Sequence, residues 1–574
     1  MVCRGVAGPA GLAHGARTGR LWGLRTVLGL RMPLGLCTVV GPSSDVNRAT
    51  ARAAAYCHST YATARERDVT PNSDEIVITG LGAVTPVGMD APSTWDALCA
   101  GRSGITTIDA FDPAGLPTRI AGQVRGFDPL RAMSPKQVRR SARFSQLAVA
   151  AAVECAADAG LLAESDTAEG TGGVDGTDHL AHVDPTRVGV VLNTAVGAMG
   201  EIADAARTFD GRGWRGLRSS FVPSVIPNMA ACQVAIRLGA HGPVTAGAFA
   251  CASGNAALID AVGLIRTGAA DVVIAGGTDA SIVPLMFGGL SMMGALSTRN
   301  DDPAAASRPF DADRDGFVYG EGAVTFAVES LAHARRRGAR VYARYLGGAL
   351  TCDAFHVTAP DPNAAYAAAA IRRALDDAHL APSDVDYICA HGTSTKANDR
   401  SETKAIHAAL GPAARSVAIS SPKSMTGHLI GAAGALSVLV ACLAIRDGVV
   451  PPTINLTTPD PECDLDYVPG TSRAMTVDSA LVNAFGFGGQ FAHAERARCR
   501  ERRGIAPQAA AAIAGHGYSE HGSGGVYRAI VCRAGFLCRA SALPRGRDII
   551  RATRPVRGDR HVARDRALGS VARL

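Results

Sequence analysis

Pro243-Val244-Thr245-Ala246-Gly247-Ala248-Phe249-Ala250-Cys251-Ala252-Ser253-Gly254 runs from an apolar strand through a tight turn into an Ala-rich helix that reaches Arg266. A strand feeding directly into a helix is the building unit of α/β proteins. Cys251 lies at the junction, where a helix N-terminus carries partial positive charge and unpaired N–H groups that favour thiolate over thiol. Its small neighbours leave room for a substrate. A lone cysteine in such a place is more often a buried, inert thiol, so other residues must carry the chemistry.

Working outward, the same order of elements recurs loosely as a strand from Val385 to Ala390, a polar loop and a helix through Glu402 to Leu410. That is consistent with an internal duplication. Further buried strands are expected at Ile76 to Gly80, Arg187 to Asn193, Asp271 to Gly277 and Val417 to Ser420. A helix is expected over 134–160, opened by Ser134-Pro135. His428 to Arg446 is apolar on nearly all sides and reads as a buried helix. Strands alternating with helices predict α/β layers around mostly parallel sheets.

The chain has 574 residues, 47% apolar and 19% charged, enough for more than one core unit and too apolar for a disordered protein. Aromatics make up 5% and there are 65 glycines, so tightly stacked layers are expected. No charge-free apolar run is long enough to span a bilayer. The net charge of +7 is unevenly placed. Residues 1–73 hold nine Arg and three acids (+6), and residues 490–574 hold seventeen Arg and six acids (+11), which leaves −10 for the middle. A basic balance hints at nucleic-acid or membrane partners, but only the ends are basic, so neither partner is expected. The four lysines, Lys136, Lys396, Lys404 and Lys423, all lie in the middle. Fourteen cysteines without a CxxC pair give neither a disulfide framework nor a zinc ribbon.

Residues 1–73 fit an organellar transit peptide or an over-extended gene model. Compartment follows that choice: plastid or mitochondrial with a genuine transit peptide, cytoplasmic if the protein is bacterial, and soluble in each case. Residues 490–574 show no sustained period and are expected to be a disordered or misread tail.

Three more segments carry chemistry. Ala390-His391-Gly392-Thr393-Ser394-Thr395 ends an apolar strand, where a histidine beside glycine and hydroxyls sits well in a crevice. Ser421-Pro422-Lys423-Ser424-Met425-Thr426-Gly427-His428 places a Lys and a His just before the buried helix, with Lys423 free to pair with Glu402. In Asn483-Ala484-Phe485-Gly486-Phe487-Gly488-Gly489, glycines allow close backbone approach and two phenylalanines can line an apolar channel. Each segment alone has a bland structural reading.

Together the four segments resemble the β-ketoacyl-acyl-carrier-protein synthases of the type I/II group, closest to type II, in the thiolase superfamily; the resemblance covers about 75–489. It implies two duplicated α/β halves in a layered α-β-α-β-α arrangement, an N-terminal half at 74–322 and a C-terminal half at 323–489. It implies Cys251 as nucleophile, His391 and His428 as the paired active-site histidines, and Lys423 with Glu402 as a supporting ion pair. Phe487 matches the gating phenylalanine, whose N–H joins that of Cys251 in the oxyanion hole. Leu290 and Phe485 are expected in the acyl pocket, a roomy one because Leu290 stands where the family often has an aromatic. Lys136, Arg139 and Arg140 are candidates for docking an acidic acyl carrier protein. The implied reaction is decarboxylative condensation in fatty acid elongation by a homodimer, without metal or redox cofactor. Alternatives are a ketosynthase of a polyketide or other specialised pathway, and a non-catalytic chain-length partner subunit, against which Cys251 argues. A cysteine hydrolase has no use for two histidines and the Phe-Gly-Phe-Gly-Gly loop. In the family an Asn and a short closing strand follow the glycine loop. Here Phe491 stands in place of the Asn, and the strand is expected to be missing.

Overall fold

The computed structural model describes residues 75–163 and 180–497, all within one compact unit. The N-terminal extension, the acidic stretch at 164–179 and the Arg-rich stretch from 498 lie outside the described residues.

Ten strands form one sheet: β1 Ile76–Val84, β2 Val188–Asn193, β3 Val244–Thr245, β4 Val272–Asp279, β5 Gly322–Ser330, β6 Ala343–Cys352, β7 Tyr387–Cys389, β8 Ala418–Ser420, β9 Ser479–Gly486 and β10 Gln490–Ala497. Their spatial order is β8-β7-β9-β10-β6-β1-β5-β4-β2-β3. Cut between β6 and β1, the sheet gives two five-stranded halves with the same order. The pairing sense repeats too. β2 runs parallel to β3 and β4, as β7 does to β8 and β9. β5 lies antiparallel between β4 and β1, as β10 does between β9 and β6. The repeat places an internal duplication in the topology itself. Antiparallel pairing of β1 with β6 joins the halves.

Expectations change at the seam and at the closing strand. The seam read at 322/323 falls at the start of β5, which belongs to the first half by its pairing, so the topological seam lies between Ser330 and Ala343. The closing strand is present: Gln490–Ala497 pairs along its length with Ser479–Gly486 and with Ala343–Cys352. It is an inner strand, so residues 490–497 are not tail. Its weak β-propensity and its adjacent Glu495 and Arg496 hide it in the sequence, because strand formation here is imposed by two waiting neighbours.

Six helices make the remaining layers: α1 Arg143–Asp158, α2 Met229–Leu238, α3 Ser253–Arg266, α4 Ala365–Ala378, α5 Lys396–Leu410 and α6 Ala433–Asp447. α1 and α2 cover the outer face of the first half, and α4 packs with α5 on that of the second. Between the halves lie α3 and α6, which pack on each other and on both halves. α6 is buried from Ala433 to Ile445, so the segment Ile430–Asp447, apolar and long enough to cross a membrane, is instead a core element. Glycine makes the central layer possible. A Cβ on Gly254 would overlap the Ala435 backbone, and one on Gly434 would lie 2.9 Å from the Asn255 nitrogen.

The helix expected over 134–160 is two. Ser134 and Gln137 close a capping box on the short helix Pro135–Val138, and the chain turns extended at Ala142 before α1 begins. β1 does not turn at Gly80 but runs on to Val84, because the bare faces of Gly80 and Gly82 admit the α1 backbone.

If β10 completes the sheet, Ala494→Pro removes a ladder donor from an inner strand, where proline is not tolerated. A loss of about 3 kcal/mol or more is expected by comparison with proline in other regular backbone. Urea unfolding followed by circular dichroism should show the midpoint fall; an unchanged midpoint would remove β10 from the sheet.

Candidate active site

Each half ends a central element in the same device. Ala250 takes a left-handed φ of 47°, a single 3₁₀ turn Ala250–Ala252 follows, and α3 begins at Ser253. Ile430 takes a φ of 52°, the turn Ile430–Ala432 follows, and α6 begins at Ala433. Non-glycine residues at positive φ are strained, most of all β-branched ones, and persist only where the surroundings over-determine them. The first elbow presents Cys251. The second follows His428 directly.

Cys251 is 8% exposed and lines a cavity of about 780 Å³ shared with His391, His428, Phe485 and Phe487. The backbone N–H groups of Phe487 and of Cys251 itself interact with its sulfur. Gly486 allows this approach, since a Cβ there would lie 2.7 Å from the Phe249 carbonyl oxygen. Burial pushes the Cys251 thiol up to about 12, although Lys423 and the two N–H groups pull the other way and Asp279 adds to the rise. The expected resting thiolate is therefore replaced by a thiol. The helix end and the lysine reduce the cost of ionisation without overcoming desolvation.

The imidazoles of His391 and His428 stand nearly perpendicular, centroids 5.4 Å apart. His391 is held through its backbone: its N–H donates to Glu402 Oε1 at 2.8 Å, and the Gly392 N–H donates to Oε2 at 2.8 Å. Asn483 Nδ2 donates to Oε1 at 2.9 Å. Phe485 packs on the ring at 5.4 Å. His428 Nδ1 accepts from the Ile430 N–H at 3.2 Å, which leaves the ring proton of the neutral form on Nε2. Burial, then Lys423, holds the His428 pKa well below the usual range, so the ring is neutral. Phe317 meets its edge at 5.6 Å.

Lys423 and Glu402 do not form the expected contact ion pair. Glu402 spends its oxygens on the three N–H donors above, and Lys423 feels Cys389, Glu402, Cys251 and Asp399 through space. Burial lowers the Lys423 pKa and raises that of Glu402. Leu290 lines the cavity with Val196, Met286, Phe317 and Ile430, which belong to one apolar cluster. The lining also includes the polar Thr393, Thr395 and Asn398. Phe487 is 44% exposed, in the loop joining β9 to β10. Lys136, Arg139 and Arg140 are exposed, but they do not line this cavity; Lys136 and Arg140 rim a second one of about 540 Å³. Sequence reading passed over Thr393 and Thr395 as site residues, and Asp279 entirely. The available signal for Asp279 was a carboxylate closing an apolar strand.

The family model described as Beta-ketoacyl synthase, N-terminal domain, matches residues 73–334, and Beta-ketoacyl synthase, C-terminal domain, matches 342–457. The chain is similar to the 3-oxoacyl-[acyl-carrier-protein] synthase 2 of Synechocystis sp., 45% identical over 72% of this chain and 95% of that one. It is similar to the protein of the same name from Coxiella burnetii, 43% identical over 72% and 96%. Among solved structures, a type II PKS acyl-carrier protein in complex with its ketosynthase bound to the hexaketide superposes with a TM-score of 0.67, at 34% identity over 74% of this chain and 100% of that one. The ishigamide ketosynthase/chain length factor gives 0.67 at 33% identity, over 74% and 99%.

With the thiol near 12, the reactive thiolate fraction grows tenfold per pH unit through neutrality. Iodoacetamide labelling of Cys251, followed by mass spectrometry, should keep accelerating from pH 7 to pH 10. A plateau below pH 8 would mean a resting thiolate.

Proposed function

The chain belongs to the beta-ketoacyl synthase family, and from that membership we propose that it is a 3-oxoacyl-[acyl-carrier-protein] synthase that lengthens fatty acyl chains by decarboxylative condensation with malonyl-acyl-carrier protein. The observation that carries this reading is the pair of imidazoles sharing one cavity with a buried thiol at a helix N-terminus. The relatives named for this activity share more of the sequence than the two ketosynthase structures above do.

The chemistry follows in two steps. Cys251 Sγ attacks the acyl thioester, and its proton leaves with the carrier thiol. The N–H groups of Cys251 and Phe487 receive the tetrahedral oxyanion, each worth about 3 kcal/mol. The acyl chain lies along Val196, Met286 and Leu290. Malonyl thioester then enters past Phe487 toward Thr393 and Thr395. Loss of CO2 leaves an enolate, and the neutral His428 donates to its oxygen from Nε2, with His391 beside it. The carbanion attacks the acyl-Cys251 carbonyl, the S–C bond breaks, and a 3-oxoacyl thioester two carbons longer departs. Neutral donors suit this step, since they strengthen as charge develops on the enolate.

Glu402 serves as the strut that fixes the His391 backbone, and Lys423 as a nearby positive charge that eases ionisation of Cys251. Exposed Lys136, Arg139 and Arg140 dock the carrier. A homodimer is favoured by the unpaired edge of β3 and by exposed Val222 and Ile236 in the adjoining segment.

A condensation assay with acyl- and malonyl-carrier protein tests the whole. Cys251→Ala should abolish acyl transfer, while His428→Ala should lower malonyl decarboxylation by about 100-fold or more and spare acylation. Retained condensation in Cys251→Ala would sink the mechanism. Lys136→Glu combined with Arg140→Glu should raise KM for the carrier about tenfold with kcat little changed, a gap that closes as salt rises. An unchanged KM moves the docking site elsewhere.

A further inference from the structure

The two elbows are counterparts in the duplicated topology, and the strand ends beside them are counterparts as well: β9 ends at Gly486 next to the first, and β4 ends at Asp279 next to the second. The side chains are exchanged. At the first elbow the turn carries Cys251 and the strand end is bare. At the second the turn carries Gly431, and the strand end fills the vacant space with a carboxylate; a Cβ on Gly431 would overlap Asp279 Oδ2.

That carboxylate is fully buried and gathers five donors from two loops. Oδ1 accepts from Thr194 Oγ1 at 2.8 Å and from the N–H groups of Val196 and Gly197 at 3.1 Å each. Oδ2 accepts from the N–H groups of Ala195 at 2.9 Å and Gly431 at 2.8 Å. Burial pushes its pKa up and these hydrogen bonds pull it down; since every partner donates, the ionised carboxylate is the form the site is built for. The Gly431 bond anchors the elbow on its far side and holds Ile430 at its strained φ of 52°. In that conformation the Ile430 N–H points back to His428 Nδ1. The first loop supplies Ala195 and Val196 to the apolar lining of the cavity around Leu290.

We propose that Asp279 is a positioning residue for the decarboxylation step: through Gly431 and Ile430 it fixes the tautomer and aim of His428, while bracing the apolar lining around Leu290 through residues 194–197. This rests on the condensing-enzyme reading above. The same charge acts on the nucleophile. Among the groups facing Cys251, Lys423 favours the thiolate and Asp279 opposes it, with His391, His428 and Tyr319 lining the same cavity. Asp279 therefore serves the second half-reaction at the expense of the first, and the two effects separate by experiment.

The test uses the full chain and three readouts: acyl transfer to Cys251 from acyl-carrier protein, decarboxylation of malonyl-carrier protein, and the pH profile of iodoacetamide labelling. In Asp279→Asn, decarboxylation should drop about 100-fold, the scale expected for a misplaced catalytic group, while acyl transfer should rise by about threefold, the gain in thiolate being partly offset by its lower nucleophilicity. The labelling profile should move to lower pH by roughly one unit, because a nearby negative charge is gone. Asp279→Glu keeps the charge and should return the labelling profile to its original place. Gly431→Ala breaks the anchor but keeps the carboxylate, so it should lose decarboxylation without moving the profile, and it carries the test if Asp279→Asn does not fold. Equal losses in both half-reactions, or full decarboxylation in either variant, would overturn the proposal. If the unaltered protein neither accepts acyl groups nor decarboxylates malonyl thioester, the condensing-enzyme reading itself fails, and the labelling profiles still report the placement of the charge.

Discussion

Two helices touching backbone to backbone hold this molecule together. α3 and α6 meet at Gly254 and Gly434, where no side chain fits, and everything around the cavity is referenced to that crossing. Each helix begins just after a left-handed residue, so the crossing sets where the elbows stand and therefore where Cys251 faces His428. The scarcity of aromatics and the wealth of Gly and Ala follow from the same need, since larger residues in the middle layer would push the halves apart. The crossing also explains why an apolar helix long enough for a bilayer is found in a core: it has sheet on one side and its own counterpart on the other.

Burial sets the electrostatic character of the site. It raises the Cys251 thiol and lowers His428, so the thiol and the imidazole both rest in their neutral forms. Around them stand preset dipoles: two backbone N–H groups at the sulfur and an imidazole N–H whose tautomer is dictated by its neighbour. A buried site of this kind suits a reaction whose charge appears only in passing, on a tetrahedral oxygen and then on an enolate.

Local chemistry was legible in the sequence where a reactive or aromatic residue lies at a turn with glycine within three positions. Cys251, His391, His428 and Phe487 all carry that mark, and the structure gathers all four around one cavity. The alternation of strands and helices, and the faint echo between 243–266 and 385–410, carried the layered fold. What escaped depends on partners distant in the chain. β10 has little strand character until β9 and β6 flank it. The break between Pro135–Val138 and α1 comes from the extended backbone at Ala142, a local dihedral that hydrophobic periodicity does not register. The expected thiolate failed because helix polarity is local, whereas desolvation is the sum of everything packed around the sulfur. Asp279 lies past the strand end expected at Gly277, and only the counterpart geometry of Gly431 gives it meaning.

The place of β10 has a consequence for biosynthesis. The five strands of the first half are complete once Ser330 has been translated, so that half can close while the ribosome is still working. The second half cannot, because its penultimate position in space is filled by the last of its described strands in time. Until residue 497 clears the exit tunnel, β9 and β6 stand with a gap between them and open hydrogen-bonding edges on both sides. The nascent chain therefore displays aggregation-prone edges until β10 arrives, and a termination between residues 488 and 497 leaves a polypeptide with every proposed catalytic side chain and no closed scaffold to hold them.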